Sequence, residues 1–101
     1  METNSLKWIG LAKVKVLNNS NIFNGVDFAY TNVIGISKSK TAFRISVRNK
    51  LNLMDLELLR LQEIESLADR LKKFEVSKDI LTIAKKLSEL NDVDFSTFHT
   101  Y

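Results

Sequence analysis

The stretch Lys38-Ser39-Lys40-Thr41-Ala42-Phe43-Arg44-Ile45-Ser46-Val47-Arg48-Asn49-Lys50-Leu51 decides the fold, because it carries two periodicities at once. Phe43, Val47 and Leu51 recur at the spacing of a buried helical stripe. Thr41, Phe43, Ile45 and Val47 also alternate with Ala42, Arg44, Ser46 and Arg48, as in a half-buried strand. Two features tip the choice. β-Branching favours a strand, and Lys38 and Lys40 would oppose the dipole of a helix that began here. The reading is a strand over 38–51.

Downstream, Asn52 suits a helix N-cap, with Asp55 and Glu57 in the first turns. Leu53, Leu56, Leu61, Ile64, Leu67, Leu71 and Phe74 share one helical stripe, and Arg70, Lys72 and Lys73 lie at the end where the dipole favours cations. A competing parse makes 57–64 a strand and Ser66, followed by Asp69, the cap of a new helix. That strand would set Leu59 and Leu61 beside Glu57 and Glu63, leaving neither face cleanly apolar. One helix over 53–74 is therefore expected, with Ser66 exposed in its interior.

Upstream the period is two. Leu6, Trp8, Gly10, Ala12, Val14 and Val16 fall on one side of a strand over 6–17, with Lys7, Lys13 and Lys15 on the other together with Ile9, Leu11 and Leu17. Asn18-Asn19-Ser20-Asn21 reads as a loop, and Gly25 as a positive-φ position. A second strand over 27–36 sets Phe28, Tyr30, Ile34 and Ile36 against Asp27, Ala29, Thr31, Val33 and Gly35, and should pair with the first as an antiparallel hairpin. Ser77 caps a further helix with Asp79 in its first turn, Lys85 and Lys86 in its later turns, and Ile80, Ile83, Ala84, Leu87 and Leu90 as its apolar stripe. The β-branched and aromatic tail from Val93 to Tyr101 makes a last strand. The expected fold is one small α+β sandwich of order β-β-β-α-α-β, mainly antiparallel, with helices on one sheet face.

The 101 residues make a single domain, and 45% apolar with 27% charged is a globular composition. With no cysteine and one histidine, disulfide scaffolds and thiolate or multi-histidine metal sites are excluded. Gly10, Gly25 and Gly35 are isolated, so no phosphate loop or dinucleotide fingerprint exists. No cofactor is called for. The N-terminus lacks a secretory pattern, and no run approaches the roughly eighteen apolar residues of a membrane helix, so the expected location is cytoplasmic, without membrane association.

His99 could act as a base with Asp94 and Ser96, but on one continuous strand those two point away from it. No triad follows, and the chain reads as a non-enzyme. Charge is more informative. The net charge of +3 divides into +6 over residues 1–50 and −3 over 51–101. If the strand readings hold, Lys7, Lys13, Lys15, Lys38, Lys40, Arg44, Arg48 and Lys50 project from the open side of one sheet, a surface for an acidic protein or for phosphates. Trp8, Phe28 and Tyr30 would lie on the core side, out of reach of nucleic-acid bases. Asp55, Glu65 and Asp69, on the outer side of the long helix, are the alternative partner surface.

Four segments in order are similar to immunity proteins of contact-dependent and polymorphic bacterial toxin systems. They are the opening strand around Trp8, Ala29-Tyr30-Thr31-Asn32-Val33, the Leu-rich helix expected from Leu56 to Leu67, and the close from Val93 to Tyr101. That class shares no binding motif, so the resemblance assigns no site residue. It implies a binder without catalysis, which would neutralise a cognate toxin. Inhibitors of nucleases are expected to be acidic, so this basic chain does not suit that subtype. The alternative function is a nucleic-acid-associated accessory protein using the basic N-terminal half.

Overall fold

The register of the first hairpin sets everything that follows. In the computed structural model, which describes residues 6–17, 27–88 and 91–100, β1 (Leu6–Val16) pairs antiparallel with β2 (Phe28–Ser37). Trp8 lies opposite Gly35, Ala12 opposite Thr31 and Val14 opposite Ala29, so even-numbered residues of β1 share a face with odd-numbered residues of β2. That front face is the core side, where Trp8, Ala12, Val14, Ala29 and Val33 are buried. The Trp8 indole N–H reaches the Ser37 carbonyl at 2.9 Å, which satisfies its one donor. The expected loop at 18–21 and Gly25 lie outside the described residues.

The deciding stretch is a helix, not a strand: α1 spans Lys40–Leu53 across the front face. Phe43, Val47 and Leu51 are all fully buried there. Burying three such side chains contributes roughly 1.5–3 kcal/mol each, whereas an unfavourable charge at a helix start costs about 0.3–1 kcal/mol. The spacing therefore outweighs the lysines. Ser39 also caps the helix, its hydroxyl accepting from the Ala42 N–H at 3.1 Å. Asp55, at φ 58°, ends it in the left-handed conformation that Asp tolerates.

The expected single helix over 53–74 is also overturned. Leu56–Ser66 forms β3, antiparallel to the free edge of β1, and Leu67–Lys73 forms the short helix α2. Two irregularities explain the misreading. The register shifts between Lys13 and Val14 and again between Ile9 and Leu11, so Leu59 is one extra residue, and Glu63 and Ile64 together oppose Gly10. Glu63 takes φ 56° at the second bulge. Leu56, Leu58, Leu61 and Ile64 thus all reach the front core, at spacings of two and three that imitate a helix. Among the described residues β3 is an edge strand, and its bulges and charges blunt that edge.

Ser66 is the N-cap of α2, its hydroxyl accepting from the Asp69 N–H at 3.1 Å. Ser66→Ala is therefore expected to cost about 1 kcal/mol in denaturant unfolding, with Ser66→Asp retaining most of the stability. A neutral alanine would restore the continuous helix.

α3 (Lys78–Lys86), capped by Ser77 as expected, packs Ile80 and Ala84, with Leu87, against Ile9 and Ile34 on the back of the sheet. Leu90 lies outside the described residues. The helices therefore cover both sheet faces, not one: α1 in front, α2 and α3 over one end of the back. The tail divides into β4 (Val93–Phe95) and β5 (His99–Thr100), both antiparallel to β2. Strands run in the order β3-β1-β2-β4, with β5 also on β2. The class is α+β, but the chain order is β-β-α-β-α-α-β-β rather than β-β-β-α-α-β.

Candidate binding surface

The eight bases do not share one side. Lys7, Lys13 and Lys15 project from the back of the sheet, as their strand parity predicts. Lys40, Arg44 and Arg48 stand on α1, across the front. Spaced four apart, they form one exposed row of about 12 Å. Lys38 is exposed just before the helix. Lys50 is turned aside, its ammonium 3.4 Å from the Asn91 Oδ1. Because 40–53 is helical, alternation no longer sorts the bases within it; angular position on the helix does.

No acid occurs between Lys38 and Met54. Lys40, Arg44 and Arg48 make no ion pair with any described residue, unlike Arg70, Lys72 and Lys73. The outer face of α1 is thus a field of one sign. Beside the cationic row runs a second row, Thr41, Ile45, Asn49 and Leu53. Within it Ile45 is 51% exposed and Leu53 84% exposed.

The back of the sheet is mixed. Lys13 lies opposite Tyr30, and Lys15 opposite Phe28, so these two aromatics sit with the bases and not with Trp8. The Lys13 ammonium is 5.5 Å from the Phe28 ring centre and 5.9 Å from that of Tyr30. Arg60 of β3 faces Lys13 and Glu57 faces Lys15 on the same side. Trp8 is in the core as expected, whereas the expectation that Phe28 and Tyr30 join it is corrected by the even-with-odd register.

The acidic alternative does not assemble. Asp55 precedes β3 while Glu65 and Asp69 lie beyond or near its far end, about 30 Å away along the strand. Glu65 is clamped by Arg70 and by Lys73 at 2.9 Å, and these two cations hold its carboxyl below the usual carboxylate range. Arg70 also donates to the Glu63 carbonyl at 3.0 Å, so the cluster ties α2 to the bulged end of β3. Asp69 is 3.9 Å from Lys72.

His99 and Asp94 turn out to lie on the same side, because the tail is two strands. His99 pairs with Tyr30 and Asp94 with Ile34, which separates them by about 13 Å along β2. Ser96 engages the backbone, its N–H on the Asn32 carbonyl at 2.9 Å and its carbonyl accepting from the Thr31 hydroxyl at 3.0 Å. The three do not form a hydrogen-bonded relay. Among the described residues, no cluster of three metal-ligating side chains occurs and no helix is long and apolar enough to cross a membrane.

Sequence reasoning missed Ile45 as a surface residue and Arg60 as a sheet residue. The first was signalled by the spacing of Phe43, Val47 and Leu51, which leaves Ile45 on the opposite side. Comparison of the chain with protein-family models, curated proteins and solved structures gives no match.

Proposed function

We propose that this chain is a non-enzymatic protein-binding domain that neutralises a cognate bacterial toxin, and that the partner docks on the outer face of α1. The observation that carries the reading is the row Lys40, Arg44 and Arg48, which points outward with no acid from Lys38 to Met54. A field of one sign on a rigid helix steers an acidic protein into register before contact. The resemblance to toxin-immunity proteins supports the toxin as that partner.

The test reverses the row. With the partner co-purified from the native host, Lys40→Glu/Arg44→Glu/Arg48→Glu is expected to slow association about ten- to a hundredfold at low salt. The gap should close as salt rises. All three side chains are exposed, so the fold should persist by circular dichroism. An association rate equal to that of the unmodified chain would move the interface elsewhere.

A second reading, nucleic-acid association, is favoured by one observation: Phe28 and Tyr30 lie on the same side as Lys13, Lys15 and Arg60. Rings and cations on one sheet face are the pairing that single-strand binders use. A salt-steep mobility shift on single-stranded oligonucleotides, weakened by Lys15→Glu/Arg60→Glu, would support it.

A further inference from the structure

We infer that Ile45 and Leu53 are the apolar anchors of the α1 surface, and that the protein docking there is an acidic, amphipathic helix. This rests on reading α1 as the docking face. The two residues stand eight apart in one row of the helix, about 12 Å from each other, and that row runs alongside Lys40, Arg44 and Arg48. Neither serves the core, which takes Phe43, Val47 and Leu51 from the other side of the helix. Half or more of each side chain is in water, at 51% for Ile45 and 84% for Leu53.

The two rows ask for different things from a partner. The cations favour carboxylates, and the arginine forks can take them in paired hydrogen bonds. Ile45 and Leu53 gain only where apolar surface leaves water with them, in the dry centre of an interface ringed by charge. A phosphate backbone supplies the first and not the second. A helix with acids along one row and apolar residues along the next supplies both, at the same two-turn repeat. Charge then governs the rate of encounter and the apolar pair governs residence.

The probe is a displayed library of helical peptides, selected on the wild-type chain, with random-sequence duplex DNA as the comparison. Enriched peptides are expected to carry acids beside apolar residues at helical spacing. Ile45→Ala/Leu53→Ala should weaken such a peptide about tenfold or more, through faster dissociation, equally at low and high salt. Both residues are exposed and alanine is the better helix former, so this variant should fold. If it leaves affinity unchanged while Lys40→Glu/Arg44→Glu/Arg48→Glu weakens it, the anchors are wrong and the docking face stands. If neither variant matters, the docking face fails as well. A library that yields no acidic–apolar sequence, or duplex DNA that binds more tightly than any peptide, overturns the inference.

Discussion

Phe43→Ala is expected to remove about 3–5 kcal/mol of stability, while Ile45→Ala, two residues away, should change it by no more than about 0.5 kcal/mol. The contrast follows from the helical reading of residues 40–53. Phe43 is fully buried beneath α1, in a cluster with Trp8, Val33 and Val93, and Ile45 is half in solvent. Truncating the ring forfeits its transfer free energy and leaves a cavity whose walls, strands on one side and a helix on the other, can only partly collapse. A loss of that size is a large share of the roughly 5–15 kcal/mol that holds a domain together. It should lower the melting temperature by about 15–30 °C. Had 38–51 been a strand, Phe43 and Ile45 would share a face and both truncations would be costly. Equal losses in thermal or urea unfolding would therefore restore the strand.

The two misread segments were exchanged for the same physical reason. Residues 40–53 present a strand-like alternation in Thr41, Phe43, Ile45 and Val47, but only every fourth residue is needed for the core, and Ile45 is spent on the surface. Residues 56–66 present helix-like spacing because two bulges each add a residue to the strand. A bulge is a property of a pair of strands, and nothing local in Leu59 or Glu63 announces it. The segments whose apolar period is undisturbed, β1, β2 and α3, were legible without the structure.

The surface inherited those errors and one more. Parity correctly put Lys7, Lys13 and Lys15 together, since a strand's own alternation needs no partner. It placed Phe28 and Tyr30 wrongly, because which residues of β2 meet Trp8 depends on the hairpin register. The trio Lys40, Arg44 and Arg48 came out together in either reading: a spacing of four lies on one side of a strand and also on one side of a helix. That degeneracy is why the charge row was visible from the sequence while its neighbours, Ile45 and Leu53, were not.

Gly35→Ala is expected to destabilise by about 2–3 kcal/mol, opposite in sign to the local rule that glycine weakens a strand by roughly 0.5–1 kcal/mol relative to alanine. The backbone of Gly35 lies beneath the Phe43 ring, near the C-terminal end of β2, paired with Trp8 on one side and Val93 on the other. A Cβ there would meet Phe43 Cε1 at 2.8 Å and the Asp92 carbonyl oxygen at 3.0 Å. The ring could tilt away at the expense of its packing. The carbonyl cannot move freely, because it accepts the Ile36 N–H at 2.8 Å and so helps dock the β4 end of the chain. The two obstacles can be separated with a double-mutant cycle. Phe43→Leu relieves the ring contact and leaves the carbonyl, so the double variant should lose less than the sum of the singles, by about 1 kcal/mol. Losses that add to within about 0.5 kcal/mol would mean that the ring does not lie over Gly35, and the packing of α1 on the sheet would then need a different register.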